Sequence, residues 1–320
     1  GRDAPEVVVD PACGGGAFLV AVARALRARG TGVGEVLGSL RGIDVDPLAV
    51  DVTVATLALW AVDAGFHGSP PIARVALVAD ALDPATSWSG PEGHAADLVV
   101  GNPPFGGQLR HLTARSPGRP EPGRRRDGYA DTAVLFLRRA CDEVSADGVV
   151  ALVQPLSMLA ARDASGVREA VGEELCSLWV PDGGLFDAAI HVCAPIVRAG
   201  AGGGAAPAVA VRTGPKADVV GEVPWARLRR HRSWGPLWAQ AAGVPPVELG
   251  AAVVGDRCRS GAGFRDEFYG IVDLVVDGGP SAQRCGPPAG SSRVVTSGLL
   301  EWATTAWGRR SAVLGGTRFD

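Results

Sequence analysis

The sequence predicts an α/β fold in which helices cover both faces of a doubly wound, mostly parallel sheet. Between residues 6 and 198, short runs of apolar and β-branched residues alternate with longer segments of helical periodicity, which is typical of such a sheet. Several of the short runs end in a carboxylate or an amide, the side chains expected at the ligand-binding edge of a parallel sheet. With 320 residues, of which 47% are hydrophobic, the chain is long enough to bury a full core.

Strands and helices follow one another regularly along this region. Strands are predicted over residues 6–9, 40–43, 74–79, 97–100, 149–153, 175–180, 190–198 and 208–213. Helices are predicted over residues 17–29, 47–64, 129–144 and 163–174. The apolar stretch 47–66 contains Asp51 and Asp63, which favours a buried helix over a membrane span, since a span needs about 20 residues with few or no charges.

The character of the sequence changes after residue 215. The stretch VPWARLRRHRSWGPLW is basic and rich in tryptophan, and glycine and proline interrupt the remaining sequence at short intervals. We therefore predict a catalytic domain over residues 1–215, and a linker with the start of a second domain over residues 216–320.

Composition argues against several classes of protein. A net charge of −3 and a pI near 6.0 give no global preference for nucleic acid, so local basic patches would have to meet such a partner. The six cysteines form no C-x-x-C pair, which argues against a zinc site and a disulfide scaffold, and we predict no bound metal. No membrane segment or signal peptide is evident, so we expect a cytoplasmic protein without a membrane partner.

Residues 7–26, VVVDPACGGGAFLVAVARAL, predict a buried strand, a carboxylate at its tip, a glycine-rich turn and an amphipathic helix. Glycines 14–16 would let the backbone approach a ligand at the carboxyl end of the strand. A carboxylate at Asp10 repels phosphate and attracts a cationic amine, and the spacing does not supply the G-x-G-x-x-G of a dinucleotide site. A tight strand-to-helix turn without a ligand is the alternative.

Two further strand ends carry aspartate. Asp44 follows the second strand, where an acidic residue usually binds two ribose hydroxyls. Asp46 precedes Pro47 and is expected to cap the next helix. Asp80 ends VALVAD, where it could meet the edge of an adenine. A single aspartate of this kind is more often a cap or turn residue, but three on successive strand tips favour a site.

The strand at 97–100 ends in GNPPFGG, residues 101–107. Two consecutive prolines cannot donate to a sheet and restrict the backbone, so the chain must leave the strand in a stiff, extended corner.

Taken in order, these segments resemble the S-adenosylmethionine-dependent amino-methyltransferases of DNA, in particular the gamma-ordered adenine-N6 enzymes of restriction-modification systems. DPACGGGAF is similar to their cofactor turn, with Gly15 where serine is usual, and GIDVDP to their ribose-binding strand end. VADALD is similar to their adenine-contact segment, and VVGNPPF to their catalytic corner. GVVALVQPLSML and GGLFDAAIHVCAPIV resemble later motifs, so the resemblance covers residue 7 to about residue 213.

The resemblance implies a class I, Rossmann-like methyltransferase fold and S-adenosyl-L-methionine as cofactor. The cofactor-binding residues that it implies are Asp10, Ala12, Gly14, Gly16, Phe18, Asp44, Asp80 and Asn102. The catalytic residues that it implies are Asn102, Pro103, Pro104 and Phe105. An adenine amine is a poor nucleophile, and acceptors at the Asn102 side chain and the Pro103 carbonyl would hydrogen-bond both of its hydrogens and favour a tetrahedral nitrogen.

A base inside a duplex must be flipped out before it can react. Phe105 offers a ring for stacking, and the resemblance suggests Phe186 as a second ring, with core packing as the alternative for both. Residues 106–128 are rich in glycine and proline and predict a loop beside the site. Its candidates for contact with DNA phosphate are Arg110, Arg124, Arg125 and Arg126, for which a solvated surface loop is the alternative.

The expected partners are double-stranded DNA and a restriction or specificity subunit, with the segment beyond residue 215 beginning a target-recognition domain. The same corner occurs in methyltransferases that modify RNA or a glutamine of a protein. A non-catalytic DNA-binding or specificity subunit that keeps the fold is the alternative of a different class.

Overall fold

The computed structural model describes residues 5–68, 72, 75–89, 93–106, 131–183, 191–200 and 207–245, and four short strands between residues 300 and 319. Contacts within the chain separate two units, 1–247 and 248–320. In the second unit the described strands form two antiparallel pairs, β11 (Leu300–Glu301) with β12 (Thr304–Thr305) and β13 (Ala312–Leu314) with β14 (Thr317–Phe319).

The first unit contains one mixed sheet. Its strands are β1 (Val8–Asp10), β2 (Leu40–Asp44), β3 (Ala76–Val78), β4 (Ala96–Gly101), β5 (Val144–Leu152), β6 (Gln154–Pro155), β7 (Leu175–Val180), β8 (Val192–Arg198), β9 (Ala208–Thr213) and β10 (Asp218–Pro224). The order is β10-β9-β7-β8-β5-β4-β1-β2-β3, and β6 pairs with β8 beside this path. Strands β3, β2, β1, β4 and β5 are mutually parallel, whereas β8 runs antiparallel between β5 and β7.

Helices connect the strands and cover both faces of the sheet. The α-helices are α1 (Ala17–Ala28), α2 (Val33–Ser39), α3 (Pro47–Asp63), α4 (Thr132–Glu143), α5 (Ser165–Val171), α6 (Trp225–His231) and α7 (Gly235–Ala241). Neighbouring strand residues point to opposite faces, so Val8 packs into one buried cluster with Leu19 and Leu57, and Val9 into another with Leu137. The predicted doubly wound, mostly parallel sheet is thereby confirmed.

Three features differ from the sequence-based expectation. Helix α3 lies at the surface and leaves Leu48, Leu59 and Val62 between 62% and 72% exposed, because only one side of it packs on the sheet. Helix α2 lies at Val33–Ser39, for which the sequence predicted no helix or strand. Strand β10 extends the sheet beyond the domain boundary expected after residue 215, because it pairs with β9 while α6 and α7 pack behind it. Among the described residues, no helix is both long and apolar enough to cross a membrane.

Candidate active site

The turn after β1 is held by its packing against α3. Gly14 and Gly16 have positive φ values of 51° and 82°, a conformation that glycine adopts without strain. A Cβ at Gly16 would lie 3.2 Å from Thr53 Oγ1, and this hydroxyl donates to the Gly14 carbonyl at 2.7 Å. Both the backbone conformation and the close approach of α3 therefore require glycine in the turn.

Asp44 joins the end of β2 to the same turn. Its Oδ2 accepts a hydrogen bond from the Gly14 amide at 2.9 Å, and its Oδ1 accepts one from the Asp46 amide at 3.0 Å. Each oxygen keeps a further lone pair, so the carboxylate can still accept from a ligand. Asp46 accepts from the Leu48 amide at 2.9 Å at the start of α3, which confirms its predicted role as a helix cap.

The corner that follows β4 is anchored at both ends. On one side, the Val153 amide donates to the Gly101 carbonyl at 2.9 Å. On the other side, the Gly106 amide donates to Asp131 Oδ1 at 3.3 Å, next to the start of α4. The corner between these anchors is therefore held against both β5 and α4.

Asn102 is half-buried within the corner, and its Oδ1 is buried. In the part of the chain that the structure describes, this oxygen has no hydrogen-bond partner. A buried acceptor without a donor costs free energy, and most such atoms in proteins are satisfied. The corner therefore holds an acceptor that a ligand N–H could satisfy.

A cavity of about 570 Å³ opens at the carboxyl ends of β1, β2, β3 and β4. Of the residues implied by the resemblance, its lining includes Ala12, Asp44, Asp80, Asn102 and Pro104. Parallel strands bring these side chains together because their carboxyl ends meet at one edge of the sheet. The other implied residues that the structure describes, which lie outside this lining, are Asp10, Gly14, Gly16, Phe18, Pro103 and Phe105.

Helix α4 supplies part of the cavity wall through Thr132, Leu135 and Phe136. Sequence reasoning missed these residues because they follow the corner by about 30 positions. The signal that could have found them was Asp131, which caps α4 by accepting a hydrogen bond from the Ala133 amide at 3.0 Å.

Asp10 is buried beneath the glycine turn and stabilises it. Its side chain is 1% exposed, its Oδ1 accepts from the Ala12 amide at 3.1 Å, and a Cβ at Gly101 would overlap this oxygen. Burial raises the pKa of Asp10 to about 7, the charge of Asp44 adds to the rise, and the Ala12 amide opposes it. The geometry therefore shows Asp10 holding the backbone of the turn at Ala12. Its predicted contact with a cationic amine stays a prediction.

Asp80 lies exposed at the rim, where its Oδ1 accepts from the Leu82 amide at 2.8 Å. Phe186, Arg110, Arg124, Arg125 and Arg126 lie outside the described residues. Within the described ranges, no three His, Cys, Asp or Glu side chains group so that they could hold a metal ion.

The family model for N-6 DNA methylases matches residues 2–175, which is more than half of the chain. The chain belongs to the N-6 DNA methylase family. The match includes the glycine turn, all three strand-end aspartates and the NPPF corner, and it confirms the resemblance to adenine-N6 DNA methyltransferases. Family membership also implies S-adenosylmethionine as the methyl donor. No curated protein matches the chain in sequence.

Several solved structures are similar to this chain at low sequence identity. The type IIG restriction endonuclease BpuSI matches with a TM-score of 0.51 and 16% identity, over 73% of this chain and 30% of its own. The methyltransferase subunit of a type I restriction-modification system from Streptococcus thermophilus matches with a TM-score of 0.46 and 17% identity, over 77% and 50%. The type ISP enzyme LlaBIII, solved bound to DNA, matches with a TM-score of 0.49 and 12% identity, over 73% and 19%. The chain thus spans at most half the length of these three proteins.

Proposed function

We propose that this chain transfers a methyl group from S-adenosylmethionine to the N6 amine of adenine in DNA, as part of a restriction-modification or related defence system. Family membership supports the reaction class. The observation that carries the proposal is the buried Oδ1 of Asn102, which has no hydrogen-bond partner among the described residues and belongs to a residue that lines one cavity with Asp44 and Asp80.

The residues of the cavity fit the cofactor. Asp44 and Asp80 are acceptors for ribose hydroxyls and an adenine amine, and Val45 and Leu82 add apolar surface to the same wall. The backbone is open at Gly14, where a Cβ would meet nothing within 4 Å. The bound cofactor would supply a methyl group on a sulfonium, whose sulfur keeps the bonding electron pair when the methyl group leaves.

The corner would prepare the adenine amine to accept that methyl group. Asn102 Oδ1 is one acceptor for its hydrogens, and the Pro103 carbonyl, which accepts no hydrogen bond from the described residues, is the second. Two fixed acceptors localise the lone pair on nitrogen, and the amine releases one proton to solvent water once the new C–N bond has formed. We propose Phe105, half-buried beside them, as the ring against which a flipped base stacks.

Nucleoside analysis tests the proposal. The protein is incubated with isotopically labelled S-adenosylmethionine and with mixed-sequence duplex DNA, RNA or protein substrates in separate reactions. We expect label in N6-methyladenine from DNA only. Asp51→Asn, at an exposed position of α3, is the control variant that should retain full activity. Label in RNA or protein alone, or cofactor binding without transfer, would contradict the proposal.

A further inference from the structure

A second cavity, also of about 570 Å³, lies between α5 and the segment 225–234. It shares no lining residue with the candidate active site. Its walls contain three arginines and two tryptophans. The tryptophans, Trp225 and Trp234, are buried and form apolar surface. The basic, tryptophan-rich stretch of the sequence therefore forms one wall of this half-open cavity.

Arg168 is the buried charge of this cavity. Its side chain is 6% exposed, and its Nη1 donates to the carbonyls of Met158 and Ala161 at 2.7 and 2.9 Å. A guanidinium has five N–H donors, so the edge formed by Nε and Nη2 keeps three. Among the described residues none accepts from this edge, and burial lowers the pKa of Arg168 below its usual value. The protein thus holds a largely buried cation, and the Nε and Nη2 edge of its guanidinium has no acceptor among the described residues.

The surrounding charges leave the cavity electropositive. Of the charged residues that line the cavity, Arg229 and Glu173 form an ion pair. The two remaining positive charges, on Arg168 and Arg232, are then balanced by one negative charge, on Glu169. Arg232 makes no side-chain hydrogen bond with a described residue, and its backbone is left-handed, with a φ of 48°. Arg232 ends α6, where a left-handed backbone is common, and its amide donates to the Arg229 carbonyl at 3.2 Å.

We propose that this cavity binds a small organic oxyanion, a carboxylate or a phosphate monoester, on the Nε and Nη2 edge of Arg168, with Arg232 as the second cation. The guanidinium fork matches both oxyanions in bidentate geometry. The volume exceeds that of an inorganic ion, and the tryptophan walls suit an organic body. The exposed carboxylates of Glu169 and Glu173 disfavour an extended polyanion such as a DNA backbone.

Calorimetric titration at constant ionic strength tests the site. Ribose 5-phosphate is the phosphate probe, succinate is the carboxylate probe, and ribose and sodium chloride are the blanks. We expect one probe to bind with one-to-one stoichiometry and a Kd below about 1 mM, also when S-adenosylmethionine is saturating. The probe that binds identifies the oxyanion.

Two variants assign the binding to this cavity. Arg232→Ala should weaken binding at least about fivefold, whereas Arg230→Ala, at an exposed position of α6 outside the lining, should leave it unchanged. Arg168→Met should abolish binding if circular dichroism shows that it is folded; if it does not fold, Arg232→Ala decides. The proposal is overturned by a lack of saturable binding up to about 10 mM, by displacement with S-adenosylmethionine, or by equal affinities in the Arg232 and Arg230 variants.

Discussion

Thr132 donates two hydrogen bonds to the carbonyl of Gly106, one from its amide at 3.0 Å and one from its hydroxyl at 2.8 Å, although the residues are 26 positions apart. With the bond from the Gly106 amide to Asp131, they attach the corner 102–106 to the first turn of α4. Because Thr132 also lines the active-site cavity, the placement of the corner depends on this helix.

Thr132→Val should loosen the corner, because it removes the hydroxyl donor but keeps the amide donor. We expect the free energy of unfolding to fall by about 1 kcal/mol, the usual net worth of one hydrogen bond. We also expect turnover to fall by about tenfold at unchanged cofactor affinity, since small displacements in an active site are costly. Thr56→Val, which removes an exposed hydroxyl that bonds within α3, is the control. Equal losses of turnover in both variants would show that the Thr132 hydroxyl does not position the corner.

Asn102→Ala should separate catalysis from folding. We expect turnover to fall by roughly 100-fold or more, the scale for one preorganised polar contact, with cofactor affinity within a few-fold of the wild type. Since the removed oxygen is a buried acceptor to which no described residue donates, the melting temperature should not fall by the amount that a lost hydrogen bond costs. Single-turnover kinetics and thermal melts measure both quantities. Unchanged turnover would mean that the corner serves only the fold.

Asp44→Ala and Asp46→Ala form a matched pair two positions apart. Loss of the Asp44 carboxylate frees the Gly14 amide and removes an acceptor from the cavity, so cofactor affinity should fall by about 10- to 100-fold. Loss of Asp46 removes the cap of α3, which should lower stability by about 1 kcal/mol and leave cofactor affinity unchanged. Titration calorimetry distinguishes the two, and a similar affinity loss in both would count against a binding role for Asp44.

Asp10 should make stability depend on pH. Its native pKa of about 7 lies above the usual 3.8, mainly because the carboxyl is buried, so between these values the unfolded chain has released a proton that the native state retains. Stability should therefore fall as the pH rises from about 4 to about 7 and stay constant above this window. Asp10→Asn is neutral throughout and should be more stable than the wild type at about pH 8, by on the order of a few kcal/mol. Denaturant unfolding across this pH range measures whether stability falls as the pH rises. The prediction is refuted if the free energy of unfolding changes with pH equally in the wild type and in Asp10→Asn.

Gly101→Ala should destabilise the fold by about 1–3 kcal/mol, the usual cost of overpacking, because the new methyl group would overlap Asp10. The control is Gly38→Ala in α2, where a Cβ would meet nothing within 4 Å and glycine is unfavourable in a helix. We expect that variant to gain about 0.5–1 kcal/mol. Thermal melts measure both, and a tolerated alanine at 101 would show that Asp10 can move away from β4.

Local patterns were sufficient for the sheet and for parts of the site. The apolar runs predicted β2, β7 and β9 within one residue at each end, and the Asp-Pro pair predicted the cap of α3, because these features depend on neighbours in sequence. The exposed face of α3 was missed, since composition cannot tell which side of an apolar helix has a sheet to pack against.

Residues distant in sequence decided the remainder of the site. The order of motifs placed Asp44, Asp80 and Asn102 at one edge of the sheet, but the contribution of α4 depends on how that helix returns to the corner. Arg168 had no local motif, because its carbonyl partners Met158 and Ala161 lie in the irregular segment before α5 and its cavity forms only when the segment 225–234 packs against α5.

By itself, the sequence determined the doubly wound sheet, the family and the strand ends that carry polar side chains. Hydrophobic periodicity and short motifs are properties of adjacent residues, and they can be recognised before any packing is known. Only the tertiary structure decided that Asp10 is buried beneath the glycine turn, that the Asn102 oxygen has no donor within the described part of the chain, and that α4 forms part of the cavity wall. Burial and hydrogen-bond satisfaction depend on residues far apart in the chain, so no local pattern could have determined them.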